Sequence, residues 1–128
     1  MDWSGITIHH SASPDVSANE IDRWHKERGW REIGYHFVLR QNGDIEPGRP
    51  IDKQGAHARG RNGSHIGICL TGNLNEQLPH MEQLSSLLSL LSGLQSRYNI
   101  SKDNIEGHHE NCPGKFFPFD LIKSNLKE

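Results

Sequence analysis

The stretch Gly107 to Lys115, GHHENCPGK, carries His108, His109, Glu110 and Cys112, and ITIHHSASP near the start of the chain carries His9 and His10. Imidazole nitrogen and thiolate are zinc ligands, and a catalytic zinc takes three protein ligands while keeping a fourth position open. The candidate set is His9, His108 or His109, and Cys112, two ligands on one loop and one from a distant strand. Two rivals use the same residues. Cys112 could be a nucleophile with His108 or His9 as its base, or Glu110 or His10 could close the coordination sphere and make the zinc purely structural.

Positioning these groups requires a framework. Ile6 and Ile8 alternate with Thr7 and His9, the period of a strand with two distinct faces, so His9 and His10 must point to opposite sides. SANE, Ser17 to Glu20, reads as a capping box that starts a helix with Ile21, Trp24 and His25 at helical spacing, running to about Arg28 and stopped by Gly29. Tyr35 to Arg40 is aromatic and β-branched and is followed by Asn42-Gly43, which predicts a hairpin with positive φ at the turn and a returning strand over Asp44 to Glu46. Gln54 to Ser64 has neither period and is expected to be a loop leading into an apolar strand, Ile66 to Thr71. Met81, Leu84, Leu87, Leu88, Leu91 and Leu94 line one face of a helix that Pro79 can open and Asn99 can close, a stripe explained by core packing alone. A short segment at Ile105 precedes the motif loop, and Phe119, Leu121, Ile122 and Leu126 predict a last short helix.

With 128 residues the chain fits one α/β domain, 1–128, with no internal repeat or linker. Fourteen basic against sixteen acidic residues, formal net charge -2, give no broad electrostatic case for nucleic acid or an anionic membrane, and no partner of either kind is expected. The first residues lack the basic and apolar regions of a signal peptide, so synthesis in the cytoplasm is expected. The two cysteines sit in different settings and are read as unpaired, Cys69 in the apolar run IGICL as a small core side chain rather than a nucleophile. His36 should face away from Tyr35 into the core, and His25 and His80 fall at helix-surface or capping positions.

The blocks ITIHHSAS, IDRWHKERGWREIGYHFVLRQNGDIEPGRP, GAHARGRNGSHIGICLTGN and GHHENCPGKFFP, in that order over roughly residues 5 to 122, resemble the type 2 N-acetylmuramoyl-L-alanine amidases, a family that includes amidase-type phage lysozymes and animal peptidoglycan recognition proteins. The resemblance implies a mixed central β-sheet packed by helices with a zinc-binding groove on one side. It implies zinc as cofactor, held by His9, His108 and Cys112, with His10 and His109 as neighbours. Tyr35, in the GYHF block, would assist the water or the carbonyl oxygen. His57 and His65 would border the groove, where either could hydrogen-bond substrate or a developing oxyanion. Arg59 is the candidate for a substrate carboxylate, with Arg61, Glu46 and Arg49 as further charges that could take part. The implied reaction is hydrolysis of the amide between N-acetylmuramic acid and L-alanine in peptidoglycan or muropeptides, by a monomer acting on the wall after release or export. The alternative is a recognition module that binds peptidoglycan without cutting it. One departure stands out: only three residues separate His108 from Cys112, and Glu110 occupies the position two before Cys112 where the family often has Lys or Thr. The remaining acid–base role is therefore open between Glu110, Lys115, the water's own proton relayed by a neighbour, and no such assistance at all.

Overall fold

The computed structural model describes residues 1–128. Five strands, β1 (Gly5–His10), β2 (Phe37–Leu39), β3 (Ile45–Pro47), β4 (His65–Leu70) and β5 (Ile105–Gly107), form one sheet in the order β3-β2-β4-β1-β5. Only β3 runs antiparallel; β2, β4, β1 and β5 are parallel to one another, so the sheet is mixed and the fold α/β as expected. Helices α1 (Ala18–Glu27), α2 (Met81–Tyr98) and α3 (Phe119–Ser124) complete the framework.

One face of the sheet is mainly apolar. Ile6, Ile8, Ile66, Ile68 and Leu70 pack with Leu87, Leu91 and Leu94 of α2 and with Ile122 and Leu126 at the C-terminal end. Met81 stands outside this stripe, 82% exposed at the first turn of α2, and Leu121 is likewise exposed. Gln83 takes a core place instead, its amide donating to the carbonyls of Leu39 and Thr71. On the other face, Ala18 and Ile21 of α1 and Ile33 cover Val38 and Cys69, which is free and fully buried. That cover reaches β2 and β4. Thr7, His9 and Gly67 continue the same face across β1 and β4, where loops rather than a helix border it.

Local signals explain the ends of these elements. The Ser17 hydroxyl accepts from the Glu20 amide at 3.1 Å, half of the expected capping box; the Glu20 carboxylate turns instead to Arg23 and Trp24. Gly29 follows α1 at φ +92, and Asn99 closes α2 in the left-handed region at φ 57. His80 is the N-cap of α2 but makes no capping bond. The hairpin turns through Gly43 alone, at φ +96, with the Gly43 amide donating to Arg40 O; the returning strand consequently begins at Ile45, not Asp44. No helix is long and apolar enough to cross a membrane.

Candidate metal centre

Sheet order brings the distant groups together. Because β5 lies beside β1, with Ile8 opposite Gly107, the chain leaving β5 carries His108 directly past His9, ring centroids 4.8 Å apart. A tight reversal follows in which His109 and Cys112 exchange backbone hydrogen bonds, both 2.9 Å, bringing Cys112 back beside His109 just past the end of β5. Asn75 pins this loop from a neighbouring turn: its side chain donates to Asn111 O and accepts from the Lys115 amide. The site therefore sits at the carboxyl ends of parallel strands, where open α/β sheets leave a crevice.

The three side chains fit a zinc ion. His9, His108 and Cys112 place one ligand atom each within 4.8 Å of one another, and no other His, Cys, Asp or Glu joins the group. Cys112 Sγ lies 3.6 Å from His9 Nδ1. Tetrahedral bonds of the usual zinc–sulfur and zinc–nitrogen lengths would separate those atoms by about 3.6 Å. This geometry chooses His108 over His109, whose exposed ring accepts from the Asn111 amide. It also removes His10 as a fourth ligand: that ring is on the opposite face, accepting from the Leu74 amide at 3.0 Å.

Electrostatics favour neutral imidazoles. Burial, then the neighbouring His57 and His108, holds the His9 pKa well below its ordinary value, and burial lowers that of His108. The Cys112 thiol is pushed up by burial, with the His10 backbone N–H acting in the opposite direction. A nucleophilic cysteine needs a lowered pKa, so the rival role for Cys112 finds no support here. Cys69, raised further by complete burial, is still less a nucleophile.

Tyr35 sits just ahead of β2 rather than within it, its ring centroid 5.0 Å from that of His9. Burial and then the nearby Cys69 and Cys112 thiols raise its pKa, so it carries an O–H at neutral pH. His57 is also beside His9, its Nδ1 2.9 Å from His9 Nε2. Its Nε2–H donates to His65 O at 3.0 Å, so both ring nitrogens are used within the protein and neither is left for substrate. His65 is buried on β4 and hydrogen-bonds Thr7 Oγ1, away from solvent.

A groove of about 350 Å³ runs along Trp30, Ala56, His57, Arg59, Asn62 and His108. A second, of about 290 Å³, continues past Arg59 and His108 to Arg61 and Glu106. Arg59 lines both, exposed and without an acidic partner, whereas Arg61 is paired with Glu106 at 3.1 Å. Arg49 is structural, donating to the carbonyls of Ile33, Glu32 and Gln54. Glu46 accepts from the Ala18 amide and pairs with Arg40, tying α1 to the hairpin.

Glu110 and Lys115 are not brought to the ligands. Glu110 is exposed on the reversal and outside the metal group, and the Lys115 ammonium lies 5.2 Å over the Phe116 ring. His25 departs from expectation too: it is buried, and its Nδ1 accepts from the Gly34 amide at 2.9 Å. Three supporting residues escaped the sequence reading. Trp30 walls the groove, Asn75 clamps the motif loop, and Asn62 Oδ1 accepts from the amides of His57 and Ala58. An Asn in a Gly-rich or turn segment was the available signal, since its side chain readily replaces a backbone partner there.

Comparison with known proteins agrees with this architecture. Residues 1–115 match the model of the family described as N-acetylmuramoyl-L-alanine amidase. The endolysin of Escherichia phage T7 is 38% identical over 124 residues, 91% of this chain and 81% of that protein. Peptidoglycan-recognition protein LB of Drosophila melanogaster is 32% identical over 124 residues, 85% of this chain and 53% of that protein. Among solved structures, the N-acetylmuramoyl-L-alanine amidase LysC from Clostridium intestinale superposes with a TM-score of 0.93 at 38% identity, covering 99% of this chain and 88% of that one. With the family's pattern spanning both the strand that bears His9 and the loop that bears Cys112, this chain belongs to the N-acetylmuramoyl-L-alanine amidase family.

Proposed function

We propose that the protein is a zinc-dependent peptidoglycan amidase that cleaves the bond between the lactyl group of N-acetylmuramic acid and the L-alanine of the stem peptide. The observation that carries this reading is the convergence of His9, His108 and Cys112 within 4.8 Å beside an open groove, in a chain of this family. A zinc ion bound there supplies Lewis-acid polarisation of the scissile carbonyl and acidification of the attacking water.

The chain's own residues do the rest. His9, His108 and Cys112 would hold the ion, Cys112 giving up its proton as it binds. Tyr35, an O–H donor beside His9, stabilises the developing oxyanion. Arg59, unpaired in the groove, receives a carboxylate of the stem peptide. Glu110 and Lys115 flank Cys112 and are the groups the motif loop can present to the leaving nitrogen; both are exposed, so presenting either requires that loop to turn inward over docked substrate. The same exposure favours the second reading, a module that grips muropeptide without cutting it.

The test is mass spectrometry of muramyl peptides incubated with zinc-loaded protein, with a chelated sample and with Cys112→Ala. Release of a stem peptide with a free L-alanine amine, by zinc-loaded wild type only, is expected. Tight zinc and muropeptide binding with no product would sink the catalytic reading and leave the recognition module.

A further inference from the structure

His57 lies outside the ligand triad, yet its contacts leave the triad's buried histidine little freedom. Its Nε2 is 3.0 Å from His65 O, and a carbonyl can only accept, so Nε2 carries the hydrogen. Its Nδ1 is 2.9 Å from His9 Nε2. One of those two nitrogens must donate. If Nδ1 of His57 donated, the ring would be a cation, and His9 would accept at Nε2 and be left with its own hydrogen on Nδ1. That hydrogen would point at Cys112 Sγ, 3.6 Å away, and block the nitrogen that faces this ligand. If His9 donates instead, its Nδ1 presents a bare lone pair toward Cys112.

The surroundings hold His57 to this task. A Cβ on Gly67 would lie 2.5 Å from its Cδ2, and one on Gly55 2.6 Å from the same atom, so the ring occupies a slot that only glycines leave open. Its backbone amide is fixed by Asn62 Oδ1 at 2.7 Å. His57 is only 8% exposed although it borders the groove.

We infer that His57 is a positioning residue: through the chain His65 O, His57 and His9 Nε2–H it fixes His9 in the tautomer whose Nδ1 is a metal ligand. The polar loop 54–64 thus sets metal affinity as well as bordering the groove. The inference rests on the metal reading of the triad, and its consequence for metal follows from the general behaviour of groups that orient ligating histidines, whose loss weakens binding about 10–100-fold.

Two measurements test it on the full chain. Nitrogen-15 NMR of the metal-free protein reads the His9 tautomer directly, and chelator competition reads zinc affinity, for wild type, His57→Leu and His57→Asn. Wild type is expected to show His9 protonated at Nε2 only. His57→Leu, which keeps bulk but removes the acceptor, should give mixed tautomers and about 10–100-fold weaker zinc binding. His57→Asn, which can place an oxygen where Nδ1 stood, should restore the single tautomer and most of the affinity. A wild-type His9 protonated at Nδ1, or a His57→Leu protein that remains folded with unchanged tautomer and affinity, overturns the inference. A wild type that binds no zinc overturns the metal reading, while the NMR signals separately uphold or overturn the link from His57 to His9.

Discussion

At the scale of single residues, the proposed site divides into groups that hold, groups that orient and one that donates. Tyr35 is the proposed donor: half-buried, packed against His9 and near the two thiols, it keeps its hydroxyl proton far above neutral pH and cannot serve as a phenolate base. Replacing it with Phe removes one O–H while keeping the ring that packs beside His9. Tyr35→Phe should therefore lower kcat by about 10²–10³-fold, the usual cost of one oxyanion donor, and leave zinc affinity within a factor of two or so. Steady-state kinetics on a soluble muramyl peptide beside chelator competition would reveal the split; a matching loss of zinc would mean that Tyr35 acts on the metal site rather than on the reaction.

Among the elements, α1 has more than a packing role. His25 projects from its last turn, accepts the Gly34 amide, and lies 5.4 Å from the Tyr35 ring and 4.5 Å from Trp30, so the helix steadies the segment that presents Tyr35. Burial, with the charges of Arg28 and Arg49, lowers its pKa from 6.5 to about 4. The folded state thus holds His25 neutral where the unfolded chain binds a proton. Its contribution to stability is fully present above pH 6.5 and is lost as pH falls through about 4. Urea midpoints measured between pH 7 and pH 4 should fall in wild type, and His25→Gln should flatten that limb. An unchanged slope in the variant would show that other buried groups, His57 among them with its pKa also about 4, set the acid limb.

For the whole molecule, one sheet separates stability from chemistry. The face carrying Ile6, Ile8 and Ile68 is sealed by α2, whereas the face carrying Thr7 and His9 meets α1 only toward β2 and β4 and otherwise borders the groove. Leu91 is fully buried on the sealed face. Leu91→Ala should cost about 2–5 kcal/mol in unfolding free energy and yet leave the zinc affinity of the folded protein unchanged. A loss of affinity under native conditions would instead couple the apolar layer to His9 through β1.

The amino-acid sequence by itself determined the elements, because their signals are local: the alternation of Ile6 to His9, the Ser17 cap, the Leu stripe of α2 and its Asn99 stop each act within a few residues. It also marked the ligand types, since a His-rich strand and a His/Cys loop are chemically legible without coordinates. Only tertiary structure groups His108, rather than His109, with His9 and Cys112, since that grouping depends on β5 lying beside β1 and on the reversal at Cys112. It alone showed that His25 is buried and that His57 serves His9 rather than solvent, because a histidine's role depends on which groups face its two nitrogens, and those come from segments far apart in the chain. Glu110 and Lys115 illustrate the same limit: proximity to Cys112 in sequence put them forward, but a tight turn sends neighbouring side chains in different directions, and theirs point to solvent.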